Sequence, residues 1–241
     1  MKRPLVVVIF LFWIVTIIGA YYVVQKPDLI HSVGGINDTF WTLIVAIWLL
    51  FNAGAIGRNI LVRLGSNFDE AEHLLLGTGI GLGALGLLGL WISAAQIANV
   101  PVLLTFQFIL GVFFFFRKDH LLFINGIKAF STEWKSSFKQ FSVPSKFAVT
   151  LPFILSFLLT LAPQIEAFDA PLYHLTQPAQ IIKDGGLRPF DNMPFWFPNL
   201  SENMYLWTLG MGSERAAQII HLTWGTLAIL LLWRWSTKTW D

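Results

Sequence analysis

Glu166, Asp169, Tyr173 and His174 stand close together in the stretch "QIEAFDAPLYHLTQPAQII", which runs from Gln164 to Ile182. Two carboxylates three positions apart can face one cavity, and there they would serve as a base or as metal ligands. Asp169 has a second reading as an ordinary helix cap. In either role the dipole at a helix N-terminus favours its charged form. Glu166 reads either as the acidic neighbour of Asp169 or as a solvated residue at a membrane boundary. His174 has the side chain of a proton carrier, or of a residue simply hydrogen-bonded in place. Lys183, Arg188 and Arg215 follow downstream and could pair with a phosphate. Arg215 sits where a helix should start, and the dipole there disfavours a cation. His221 falls about two turns inside an apolar run. Ionisable residues in a span are functional candidates; a neutral histidine bonded between helices is the other reading.

Several chemistries are excluded. The chain has no cysteine, so it has no disulfide, thiolate nucleophile or thiolate metal site. It has no phosphate-binding glycine loop, no His-Glu-x-x-His pair and no Gly-x-Ser-x-Gly elbow. A net charge of +2 is too small to argue for nucleic acid.

The elements that must hold these residues lie in a bilayer. Hydrophobic residues make up 55% of the chain and charged ones 12%, about half the charged share of soluble domains. Six runs are long and apolar enough to cross hydrocarbon as helices: about Pro4–Val24, Phe40–Gly57, Leu74–Ala95, Val100–Phe116, Phe147–Ile165 and Ala216–Trp233. The first is too long for a signal h-region and has no clear cleavage site, so it reads as an uncleaved anchor. With the N-terminus inside, the cytoplasmic loops and ends collect 12 of the 16 Lys and Arg residues, leaving Lys26, Lys183, Arg188 and Arg215 outside. That split obeys the positive-inside rule, with both termini cytoplasmic. The fold expected is all-α and integral to the membrane. Residues 1–146 form a four-span region with a cytoplasmic amphipathic segment. Residues 147–241 form two spans around an extracytoplasmic loop, 166–215.

Local signals organise that loop. A short helix is expected from Asp169 to Asp184, with Pro171 in its first turn and "DGG" at its end. On a helical wheel Leu172, Leu175, Ala179 and Ile182 share an apolar face, and Asp169, Tyr173, Thr176 and Gln180 share a polar stripe. Pro178 should bend it. Ser201 should cap a second short helix through Trp207, "GMGSE" should break it, and Ser213 should cap the last span. The aromatic content between them is too high for a solvated tail. Elsewhere, "GTGIGLGALGLLG" (Gly77–Gly89) suits close helix packing. "IKAFSTEWKSSFKQF" places Phe130, Trp134 and Phe138 four residues apart with Lys128, Lys135 and Lys139 interleaved, as in a helix lying on an anionic membrane surface.

"FDAPLYHLTQPAQIIKDGGLRPFDN" followed by "FPNLSENMYLWTLGMGSERAAQIIHLTWG" resembles the first outer loop of bacterial multi-pass glycosyltransferases of the GT-C type. The series is carried by Asp169, Tyr173, His174, Leu175, Pro178, Gly185, Pro198, Glu202, Tyr205, Ala217 and His221. It covers about Pro163–Gly225 well and the first four spans loosely. The resemblance implies a transferase in the bacterial inner membrane that uses a polyprenyl-phosphate-linked sugar. It implies Asp169 as the catalytic carboxylate, with Glu166 beside it. Tyr173, His174, Arg188, Glu202, Arg215 and His221 become substrate-binding candidates. Charge for the leaving phosphate would come from Arg or Lys or from a divalent metal, whose use varies across the group. Such enzymes have many more spans, so the chain is expected to be the N-terminal portion of one. The alternative is a non-catalytic membrane protein, such as part of a transporter or an assembly partner. Its polar residues near mid-membrane would be Asn52 and Gln107, with Pro152 as a helix breaker.

Overall fold

The computed structural model describes residues 29–161, 174–188 and 200–240, with side chains from 37 to 239. The chain divides into two units, Met1–Phe40 and Trp41–Asp241. The first is described only by residues 29–40, the opening turns of helix α1 (Leu29–Arg63). The other helices lie in the second unit: α2 (Glu70–Ala94), α3 (Val100–Phe116), α4 (Asp119–Gln140), α5 (Val143–Leu161), α6 (Thr176–Asp184), α7 (Leu200–Gly210) and α8 (Glu214–Trp240). The fold is all-α, and no strand occurs among the described residues.

Among the described residues four helices are long and apolar enough to cross a membrane: Asn37–Arg63, Glu70–Ala94, Val143–Leu161 and Glu214–Thr239. α3 and α4 together would make a fifth, but they meet at a 78° bend. The expected run Val100–Phe116 is therefore a helix that turns sharply into the amphipathic segment. The expected Pro4–Val24 span lies outside the described residues, as does the end of Phe147–Ile165. Large apolar side chains such as Trp91, Phe116, Leu159 and Leu232 point outward, as hydrocarbon allows and water does not.

Capping residues set the helix starts. Asp69 accepts from the backbone N–H groups of Ala71 and Glu72 while Glu72 Oε2 accepts from Asp69 N, which completes a capping box on α2. Asn99 caps α3 through Val102 N, with Pro101 in the first turn. Lys118 adopts φ 64° where the chain swings from α3 into α4.

Small residues then let α1 and α2 touch. A Cβ on Gly81 would overlap the carbonyl of Ala53, and one on Gly57 would overlap that of Gly77. The glycine run therefore packs helices, as expected, though only part of it: Gly79 and Gly83 face open space. Asn52 Nδ2 donates to Gln107 Oε1 at 2.8 Å, tying α1 to α3 with both residues buried. Apolar surface offers no preference for helix over lipid, so close packing and such bonds hold the bundle.

The ends of α2 and α8 opposite α7 meet α4. Trp233 lies edge-on to Phe130 and Trp134, which stack with Phe138 down one side of α4. Arg234, 3% exposed, reaches Asp69 at 2.5 Å and Glu133 at 3.2 Å. Lys238 bonds Asp69 and Glu72. Arg234 and Lys238 thereby join α2, α4 and α8. For Asp69, burial works to raise the carboxyl pKa, but the Glu72 N–H, Lys238 and Arg234 outweigh it and hold the group below its usual range.

Candidate functional site

α7 is the element around which the site forms. Residues Glu202 through Thr208 are all buried, so the helix has no polar outer face. Its centre is Trp207, whose indole N–H donates to the Leu85 carbonyl at 2.8 Å and whose ring stacks on Phe106 of α3. Space for this comes from the second half of the glycine run: a Cβ on Gly89 would overlap the carbonyl of Asn203. α7 thus sinks against the later turns of α2 and packs on α3, α6 and α8. It starts one residue before Ser201 and runs to Gly210, past the Trp207 end expected from sequence.

α6 supplies the second wall. Gly185 at φ 76° ends it, as the "DGG" turn required. The chain beyond is pinned to the turn after α2: Ala98 N donates to Gly185 O, Leu187 N to Ser93 O, and Gln96 Nε2 to Leu187 O. The apolar wheel needs correction. Leu175 and Ile182 pack partly buried against the core as expected, but Ala179 is exposed and the fully buried positions are Gln177, Pro178 and Ile181. Pro178 falls in the first turn of the described helix, where its missing N–H has no partner to lose. The expected start at Asp169 lies outside the described residues.

Two polar pairs occupy this wall. His174 Nδ1 donates to Glu202 Oε1 at 2.5 Å, and Ser201 Oγ donates to Glu202 Oε2 at 2.8 Å. Glu202 is 4% exposed, and both its oxygens are engaged, as a buried carboxylate requires. One turn further, Tyr205 Oη lies 2.7 Å from His221 Nδ1 of α8. Burial, with the Glu202 charge in support, pushes the Tyr205 phenol well above its ordinary pKa. A phenol held protonated donates, so Nδ1 of His221 accepts.

The i, i+3 spacing of Glu202 and Tyr205 puts both pairs on one side of α7. The structure therefore brings together His174, Glu202 and His221 from the sequence-derived candidates. Tyr205 joins them; it belonged to the ordered series but not to the substrate-binding set, and its spacing from Glu202 was the signal. Arg188 is exposed beyond α6 and Arg215 half-buried in the first turn of α8. Neither bonds this cluster among the described residues. Glu166, Asp169 and Tyr173 lie outside the described residues. Ser213 caps α8 by accepting from Ala216 N, as expected, and also bonds Thr42. Among the described residues no group of three or more His, Asp or Glu side chains stands together as metal ligands would. No protein family, no curated protein and no solved structure matches the chain.

Proposed function

We propose that the chain belongs to a GT-C-like glycosyltransferase that moves a sugar from a polyprenyl-phosphate carrier to an acceptor outside the cytoplasm. One observation carries the reading. Four members of the ordered series, His174, Glu202, Tyr205 and His221, come from three helical regions and meet as two adjoining bonded pairs.

In the reaction the acceptor oxygen attacks the anomeric carbon as the bond from that carbon to the phosphate oxygen breaks. Asp169 takes the acceptor proton, and Glu166 is its acidic neighbour. The lipid phosphate departs with both bonding electrons, and Arg188 or Arg215 meets its charge. Glu202, locked by His174 and Ser201, is a positioning residue that fixes His174 against α7.

The test expresses the full gene with Asp169→Asn and measures sugar transfer from a polyprenyl-phosphate donor. Transfer should vanish while the protein still inserts and folds; undiminished transfer overturns the assignment. Donor binding separates this reading from a transporter part or assembly partner. The transporter reading rests on Asn52 and Gln107, which bond each other between α1 and α3.

A further inference from the structure

We propose that the outer stripe of α4 is a binding surface for anionic phospholipid headgroups. Three features of the helix point there.

The first is direction. α4 leaves the apolar 17-residue α3 at 78°. If α3 crosses the bilayer, α4 runs close to the membrane plane, for about 33 Å over its 22 residues.

The second is the sorting of charge. One side of α4 is occupied by protein: Gly126 closes on Leu74, Phe130 and Trp134 meet Trp233, and Glu133 is taken by Arg234. Its other acid, Asp119, faces Arg117 at 3.6 Å. Both carboxylates of the helix are thereby spent inside the fold. Lys128, Lys135 and Lys139 stand on the opposite side, within about 40° of arc at 100° per residue. All three are exposed, and none has an acidic partner among the described residues.

The third is what shares that side. The lysine stripe continues toward the start of α4 as Leu121 and Ile124, 48% and 42% exposed, with Ile127 alongside at 46%. A face turned to water or to a soluble acidic partner would not carry three such side chains in a row. A face at headgroup level would: the apolar residues enter the acyl region, and the lysine stems reach out so that their ammonium groups meet phosphates. α4 packs its inner side by Glu70 and Leu74 of α2, whereas α7 packs by Leu85 and Gly89. It is thus at the other end of α2 from the candidate site, and it stands whether or not sugar transfer is the function.

The experiment uses the full chain in detergent, with equimolar phosphatidylglycerol and phosphatidylcholine added, and counts retained lipids by native mass spectrometry. Juxtamembrane lysines contribute roughly fivefold each to binding of anionic membranes. The wild type should retain phosphatidylglycerol at least about fivefold over phosphatidylcholine on that basis. The K128Q/K135Q/K139Q variant should fall to near parity, and the K128R/K135R/K139R variant should keep the preference. The single variant K135Q, expected to lose part of the preference, decides the matter if the triple glutamine variant does not fold. Equal retention of the two lipids by the wild type overturns the proposal. So does an unchanged preference after glutamine substitution, or displacement of phosphatidylglycerol by a soluble polyglutamate.

Discussion

At the scale of single residues, the buried Glu202 is held between His174 and Ser201. Hydrogen bonds to charged groups contribute about 1.5–3 kcal/mol, and a buried partner left alone costs more than the bond itself supplied. A double-mutant cycle on Glu202→Ala and His174→Ala, read by unfolding in mixed micelles, should therefore give a coupling above about 1 kcal/mol. A coupling under about 0.5 kcal/mol would mean that the two side chains act independently. Tyr205 allows an optical test. Its phenol is pushed up by burial and by Glu202, so it should stay protonated where an ordinary tyrosine ionises, near pH 10. The ultraviolet titration of wild type minus Tyr205→Phe should show no phenolate step there; a step near pH 10 would contradict the burial argument. Neither pair could be read from the chain alone. His174 and Glu202 are 28 positions apart, and local spacing says nothing of partners that a loop brings back. What the sequence did carry was the identity of the participants, through their order, and the i, i+3 step from Glu202 to Tyr205.

At the scale of elements, glycines decide which helices can touch. Gly81→Leu drives a side chain into the Ala53 carbonyl, whereas Gly83→Leu projects into open space. Overpacking of this kind costs about 1–3 kcal/mol, so the first variant should lose thermal stability in detergent and the second should not. Equal losses would show that the run acts through backbone freedom rather than close approach. The N-terminus of α2 gives a pH test. Asp69 has a folded pKa below its unfolded one, so its contribution is present above the ordinary carboxylate value of about 3.9. That contribution is lost as pH falls through the lowered folded value. Wild type should lose stability more steeply than Asp69→Asn below about pH 4; parallel curves would remove Asp69 from the joint with Arg234 and Lys238. The cap at Ser213 and the Gly185 turn were readable because each is a local rule with one residue to satisfy it. The face of α6 was not. The wheel found Leu175 and Ile182, which pack on the core, but it favoured the exposed Ala179 and missed the buried Gln177, Pro178 and Ile181.

At the scale of the whole molecule, apolar length alone marks the membrane helices, since a backbone in lipid has no other way to satisfy its bonds. The docking of α7 was hidden for the opposite reason. Its residues are buried on every side, so no period separates an inner face from an outer one. The same geometry bears on orientation. α4 and α7 approach α2 near opposite ends, so if α2 crosses the bilayer they lie toward opposite faces. The positive-inside reading of the sequence predicts α4 on the cytoplasmic side and α7 outside, and that prediction can be tested directly. The chain contains no cysteine, so a single introduced thiol can report its side without background. Arg188→Cys and Ser136→Cys replace exposed residues at the two faces. In intact cells a membrane-impermeant maleimide should label the first and spare the second, and permeabilised cells should label both. Labelling of Ser136→Cys alone in intact cells would invert the topology and place the His174–Glu202 wall in the cytoplasm. Carrier-linked sugar transfer outside the cell would then have no site on this chain.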